Sequence, residues 1–440
     1  MKTSRREFLA GSAAFSLVGR GLAATETEPQ LFERSDGKAA DFLMCRRLHL
    51  DICGRLPSRQ EVETYVGSAD PQKLTNLVDR LLASDAFADY WSMRYCDILR
   101  VKSEFPINLW PNAVYVYHRR IWRSLATDEP WDAFARALLT GKGSNFRVAE
   151  SNFLRATVRR SAEGLSEAAS TTFLLEPSEA YASYFSRVAW KSTREWKEEI
   201  VYLADGPEEQ TPEAFAARLT DGDLRARFVE SQVSRIHWWL FGSMPLEARL
   251  EAWVDAFEAE DLRLKPFLRK VLSSSEYQAG PIHGGFPARR LDAEVLDDAI
   301  CDITGLERSF TSVAPEPFTY LPRSRRAVLI EDGSITSPFL ILFGRPNRDT
   351  GLLSERRNDI TAKQRLYLYN SGRLANGMGR LLGSGRFRAL KRSDKIKELY
   401  FLFLSRPPTS AETNLIEENQ LVMRDVAWLL LNSREFLYRI

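Results

Sequence analysis

Along most of this chain apolar residues recur at spacings of three and four, the pattern of helices that bury one face and wet the other. The clearest stripe is Leu74, Leu77, Val78, Leu81 and Leu82, on one side of a helix that ends near Ser84-Asp85-Ala86-Phe87. Upstream, residues 40–53 predict a helix stopped by Gly54 and Pro57. Ser58 with Glu61 then has the spacing of a capping box, the hydroxyl accepting from a free amide and the carboxylate reaching back to the cap. Val114, Tyr117, His118, Ile121 and Leu125 mark a helix over Pro111 to Ala126; Asp128-Glu129-Pro130-Trp131 opens another, which Gly141 and Gly143 close.

One pattern is written three times. It runs first from Leu48-His49-Leu50-Asp51-Ile52-Cys53-Gly54-Arg55-Leu56-Pro57-Ser58 to Leu81-Leu82-Ala83-Ser84-Asp85-Ala86-Phe87. It returns from Ile236-His237-Trp238-Trp239-Leu240-Phe241-Gly242 through Pro245 to Ser273-Ser274-Ser275-Glu276-Tyr277. The third copy runs from Leu399-Tyr400-Phe401-Leu402-Phe403-Leu404-Ser405-Arg406-Pro407-Pro408-Thr409 to Asn432-Ser433-Arg434-Glu435-Phe436, with Thr409 and Glu412 repeating the capping box. Each copy reads as a helix, a Pro-bearing turn, two more helices, and a serine cap that folds an aromatic residue into the core. His49 and His237 precede the Gly of their copies by five residues, as Tyr400 precedes Ser405. A position that takes His, His and Tyr on an apolar helix is expected to be a core site with one hydrogen bond, not a ligand.

The predicted class is therefore all-α (mainly helical): three similar three-helix units and a Pro/Gly-rich irregular segment over residues 280–360. Within that segment Tyr320-Leu321, Ala327 to Ile330 and Phe339 to Phe343 are candidate short strands or extended loop. The expected organisation is an amino-terminal helical domain over 36–205, a linker over 206–221 and a carboxy-terminal helical domain over 222–440.

Residues 1–24 break the helical pattern. Ser4-Arg5-Arg6-Glu7-Phe8-Leu9 and the short apolar run to Gly19 read as a twin-arginine export signal, carried by Arg5, Arg6, Phe8 and Leu9, with small residues around Ala23-Ala24. That address implies a periplasmic or extracellular protein exported already folded. The run is shorter than the ~20 apolar residues a spanning helix needs, and no membrane span is expected in the mature chain. Removing residues 1–24 takes the formal charge from +2 to −1, which leaves no global electrostatic case for nucleic acid.

Of 440 residues, 44% are hydrophobic and 27% charged, a globular rather than disordered composition. The four cysteines, Cys45, Cys53, Cys96 and Cys301, form no C-x-x-C or C-x-x-C-H motif, and the histidines are scattered singly, so neither a metal site nor another cofactor is expected. Export permits a disulfide among Cys45, Cys53 and Cys96; buried free thiols are the alternative.

Several of these segments together resemble a family of secreted planctomycete-type proteins that join two domains of unknown function, the first often called cytochrome-associated. The amino-terminal resemblance rests on Arg46-Arg47-Leu48-His49-Leu50-Asp51, Val78-Asp79-Arg80-Leu81-Leu82-Ala83-Ser84, Glu129-Pro130-Trp131 and Asn152-Phe153-Leu154-Arg155. In the carboxy-terminal half it rests on Arg289-Arg290-Leu291-Asp292-Ala293-Glu294, Phe343-Gly344-Arg345-Pro346-Asn347-Arg348-Asp349, Leu404-Ser405-Arg406-Pro407-Pro408 and Leu430-Leu431-Asn432-Ser433. Many such proteins carry a C-x-x-C-H haem motif after a Phe-Leu pair. After Phe173-Leu174 this chain has Ala180-Tyr181-Ala182-Ser183-Tyr184, with no thiol and no imidazole. Where relatives show C-x-C-E-R it has Leu352-Leu353-Ser354-Glu355-Arg356, again without thiols.

The function expected from these features is a non-enzymatic binding or assembly factor with a protein partner, exported with it as one folded complex. One alternative is a polysaccharide-active enzyme, with a glycan as ligand, using paired carboxylates such as Asp292 with Glu294 or Asp297 with Asp298. A redox partner of the cytochrome-associated kind is another. For a polar site the candidates are Arg345, Asn347, Arg348 and Asp349, which also suit a buried Arg–Asp clasp pinning the irregular segment.

Overall fold

The computed structural model describes Arg34 and residues 37–281, 285–314 and 319–440. The export signal and its Arg5, Arg6, Phe8 and Leu9 lie outside the described residues, as does His283. The chain is mainly helical, 57% helix against 5% strand.

The first repeated unit comprises α1 (Asp41–Cys53), α2 (Arg59–Gly67), α3 (Lys73–Leu82) and α4 (Asp85–Ile98). Gly54 ends α1 in the left-handed region at φ 57°, where an added Cβ would lie 2.3 Å from the Tyr90 ring, so both backbone and space demand glycine. Ser58 and Glu61 form the capping box in full, and Phe87 turns into the core after Ser84.

Next come α5 (Pro111–Ala126), α6 (Trp131–Thr140), β1 (Gly143–Ser144), α7 (Ala162–Leu174), β2 (Val188–Ser192) and β3 (Glu199–Leu203). The three strands pair antiparallel with β3 central. Within 206–221, the stretch expected as a linker, α8 (Pro212–Thr220) is a helix capped by Thr211, with Phe215 and Leu219 fully buried.

The second unit is α9 (Arg225–Phe241), α10 (Glu247–Glu258), α11 (Leu264–Leu272) and α12 (Ser275–Gln278). Gly242 is left-handed at φ 73°, and Tyr277 is buried behind the Ser274 cap. Then follow β4 (Arg289–Arg290), α13 (Ala293–Thr304), α14 (Pro338–Leu342), α15 (Ala362–Asn370), α16 (Gly372–Gly383) and α17 (Gly385–Arg388). The third unit is α18 (Arg392–Leu404), α19 (Ser410–Glu418), α20 (Met423–Leu431) and α21 (Arg434–Leu437), and β5 (Tyr438–Arg439) pairs antiparallel with β4. Ser405 takes the left-handed position at φ 58°, Thr409 and Glu412 complete their capping box, and Phe436 is buried. In units one and three the arginine after the left-handed residue also grips the capping-box glutamate: Arg55 to Glu61 at 2.9 and 2.6 Å, Arg406 to Glu412 at 2.8 and 2.8 Å.

The stretches expected as strands in the irregular segment take other forms. Ser337 accepts from the Leu340 amide and Pro338 occupies the first helical position, so Phe339 to Leu342 coil into α14; Ala327–Leu329 is a 3₁₀ turn. Tyr320-Leu321 pairs with nothing regular. The strands form instead at Val188–Ser192 and Glu199–Leu203, where apolar and polar residues alternate.

Consecutive arginines on α1 join the three units. Arg46 donates to the Phe403, Glu435 and Phe436 carbonyls (2.9–3.3 Å) and to Ser405 Oγ (3.2 Å), all in unit three. Arg47 donates to the Tyr277 and Ala279 carbonyls (2.5 and 3.1 Å) at the end of unit two and to that of Ile440 (3.0 Å). Asp51 accepts from Tyr277 Oη (2.8 Å) and Arg439 (2.9 Å). Around this junction the rings of Trp91 and Tyr95 on α4 meet Trp239 on α9 edge-on, and the apolar core is continuous across the units.

Candidate functional site

The loop after α14 carries the four candidate residues, and Gly344 permits its course. At φ 82°, a Cβ there would sit 2.2 Å from the Arg357 carbonyl oxygen of the returning strand of loop. Arg345 points inward and donates to Glu294 Oε1 (3.2 Å) and to the Asp332 (3.2 Å) and Ile335 carbonyls. Arg348, fully buried, donates to Asp97 Oδ1 (2.8 Å) and the Glu331 carbonyl (2.6 Å). Asn347 is exposed at the turn, and Asp349 accepts from Lys102 Nζ (2.6 Å) across on another loop. The four are neighbours in sequence but face three directions.

Two of them, Arg345 and Arg348, share their carboxylates with Arg356, which lies outside the candidate set. Its guanidinium spans Asp97 Oδ2 (2.7 and 2.9 Å) and both oxygens of Glu294 (2.7 and 3.0 Å), with Asp292 at 3.8 Å. Asp292 also accepts from Arg94 (2.9 Å), Tyr90 Oη (3.1 Å) and Asn358 (2.9 Å). The sequence holds a signal for Arg356: Glu355-Arg356 matches the last two letters of the C-x-C-E-R pattern that the resemblance implies. Asp97 had no such signal, being one acidic residue on a buried helix face.

The electrostatics follow from burial and pairing. Burial alone would raise the Asp292 and Glu294 carboxyls, but Arg94, Arg356 and Arg289 around Asp292 outweigh it and hold that carboxyl well below the usual range, and Arg356 with Arg345 lowers Glu294. Burial, reinforced by Arg348, pushes Arg345 down to about 10, still protonated at neutral pH. Glycosidase chemistry requires one carboxyl kept protonated as general acid. Asp292 and Glu294 are both held ionised, with their oxygens committed to guanidinium and amide donors. In the other pair burial raises both carboxyls, Asp298 to about 6, but each is held in place: Asp297 binds Arg373 (3.0 Å), and Asp298 binds Arg308 (2.8 Å) and the Ala327 and Val328 amides (2.6 and 3.2 Å), anchoring the 3₁₀ turn. The arrangement ties α4, the start of α13 and the loop 331–358 together through ion pairs and hydrogen bonds.

The other candidate groups are packing elements. His49 Nδ1 bonds the Cys45 carbonyl (2.8 Å) and His237 Nδ1 that of Ser243 (2.6 Å), both rings buried, and Tyr400 is buried in the equivalent place. Cys45, Cys53, Cys96 and Cys301 are free buried thiols; burial, helped by Glu61, pushes Cys45 up to about 12. Among the described residues no three His, Cys, Asp or Glu side chains are grouped to hold a metal ion. Residues 180–184 do not fit covalent haem, since Tyr181 and Tyr184 pack tilted against Phe215 (5.0 and 5.9 Å) where thiols and an imidazole would be needed. One small pocket beside Trp131 and another beside Arg94, both partly open to the surface, are each about 20 Å³, room for a single water-sized particle.

Helical units welded by buried arginines, with an arginine–carboxylate clasp under an irregular loop, define an all-α protein of two adjoining segments. Residues 26–188 match PSCyt2, a protein of unknown function (DUF1549), and residues 241–419 match PSD1, a protein of unknown function (DUF1553). The chain belongs to the family that combines these two domains. No curated protein and no solved structure matches it. Most of α9, the first helix of unit two, falls between the two matches. Among the described residues no helix is long and apolar enough to cross a membrane.

Proposed function

We propose that this chain is a non-enzymatic binding or assembly factor, exported through the twin-arginine route to the periplasm or cell surface, which meets a protein partner through an apolar tip made by Phe105 and Val313. The observation that carries this reading is that both side chains are held outward, 85% and 89% exposed, on loops whose backbones are already pinned. Asn108, Leu109 and Trp110 donate to the Glu104, Lys102 and Ser103 carbonyls (2.8, 3.1 and 3.2 Å), closing the loop around Phe105. Glu104 Oε1 accepts from the Val313 and Ala314 amides (2.8 and 2.9 Å), joining the two tips.

The candidate polar cluster supports this loop rather than presenting a site of its own. Asp349 holds Lys102. Arg345 and Arg348 hold the carbonyls of 331, 332 and 335, and Asp332 in turn accepts from the Ser103 amide (2.9 Å). A preorganised apolar anchor costs little ordering entropy on binding. The test is to recover the protein from its own periplasm, wild type and Phe105→Ala/Val313→Ala, and identify companions by mass spectrometry. A companion lost in the double variant at unchanged Tm is expected; a clean wild-type monomer, or a companion that both retain, overturns the proposal.

A glycan ligand is the second reading, favoured by Trp196, 63% exposed and edge-on to Trp110 at 4.5 Å, a surface on which a sugar ring can stack. Trp196→Ala should then abolish retention on a polysaccharide column that holds the wild type.

A further inference from the structure

The cavity beside Arg94 has a wall of one dominant charge. Arg94, Arg289, Arg290 and Arg439 line it, against Asp51 and Asp292. Every carboxylate oxygen there is committed: Asp51 to Arg439 and Tyr277, Asp292 to Arg94, Tyr90 and Asn358. Arg290 has given its N–H groups to the carbonyls of Leu291, Phe343, Arg357 and Asp359. Arg94 and Arg439 differ. Their side chains are only 6% and 5% exposed, yet Nε and Nη1 of Arg94 and Nε and Nη2 of Arg439 are buried with no acceptor.

Four orphaned guanidinium donors around a small cavity with two surplus positive charges ask for a particle that only accepts hydrogen bonds and carries negative charge. Water accepts too, but as a neutral molecule it leaves the surplus positive charge of the wall uncompensated. The space, about 20 Å³ and partly open to the surface, takes one water-sized particle, the size class of a monatomic anion. We propose that this cavity binds a monatomic halide, chloride under physiological conditions, between Arg94 and Arg439. The ion completes the junction of α4, the start of α13 and β5.

The test is thermal unfolding of the full chain in sodium chloride or bromide against sodium gluconate at matched ionic strength, together with crystals soaked in sodium bromide. A saturable halide-dependent rise in Tm of about 2–5 °C is expected, with an anomalous bromide peak between the two guanidinium groups. Arg439→Gln should lose the halide-dependent increment, whatever its Tm in gluconate. Should that variant not fold, the bromide soak of the wild type decides alone. Superimposed halide and gluconate curves, or a bromide-soaked crystal with no peak in the cavity, overturn the proposal.

Discussion

Where the three repeated units meet, the acceptors of Arg46 and Arg47 are main-chain carbonyls and one serine hydroxyl, with Arg46 Nε and Arg47 Nη2 buried without an acceptor; beneath the 345–349 loop, Arg345, Arg348 and Arg356 face carboxylates as well, and Arg356 faces nothing else. Helix-end carbonyls have no intrahelical donor and carry partial negative charge, so a guanidinium there reads backbone shape without any acidic partner. The cost shows in the charges. Burial pushes Arg46 and Arg47 down to about 10, whereas Asp97, Glu294 and Asp292 outweigh burial and hold Arg356 well above its ordinary value. The unit junction is thus a clamp set by geometry, and the loop clasp is a mutual neutralisation that fails when one member is removed.

Glu294→Leu should test that difference most severely. It leaves Arg345 without its carboxylate and Arg356 with half its countercharge, and a loss of about 3–5 kcal/mol in urea unfolding is expected. Arg46→Met removes donors only and leaves no buried charge uncompensated, so a smaller loss of about 2–3 kcal/mol is expected. A variant at Arg46 costing more than one at Glu294 would reverse the comparison.

Acid separates the two regions in another way. Asp292 and Glu294 have folded pKa values below their unfolded ones, so their contribution is complete above about pH 5 and is lost as pH falls below about 4. His118 acts earlier: burial, with Arg348 adding, pushes it down to about 3, so stability declines from about pH 6.5 as the unfolded imidazole takes up a proton. Urea midpoints from pH 7.5 to 3.5 should show Arg46→Met lowering the whole curve evenly, Glu294→Leu flattening its acid limb and His118→Phe flattening the limb between 6.5 and 4. The smallest effect belongs to the caps. Thr409→Ala and Ser58→Ala should each cost about 1 kcal/mol, equally if the two units are true copies.

Much of the fold was legible because its signals are local. The capping boxes at Ser58 and Thr409, the left-handed stops at Gly54, Gly242 and Ser405, and the buried aromatics Phe87, Tyr277 and Phe436 all lie within a few residues of the element they define. The candidate strands failed for a local reason too: at Ser337-Pro338 the capping signal outranked the apolar run that follows it. The polar cluster was found as a run of four letters, but its meaning was not. Arg345 and Arg348 are half of a clasp whose other half stands at residues 97, 292 and 294, and whose centre, Arg356, lies in a segment that no periodicity links to the cluster.

By itself, then, the sequence determined the helices, their ends and the threefold repetition, since periodicity and capping depend on neighbours a turn away. It also determined that residues 180–184 and 352–356 contain no cysteine and no histidine. Tertiary structure alone decided which charges meet. Arg46 reaches unit three across more than 350 residues, and Asp97 reaches Arg348 and Arg356 across more than 250. No periodicity encodes such pairings, because they are selected by the low dielectric of a core that exists only once the helices have packed.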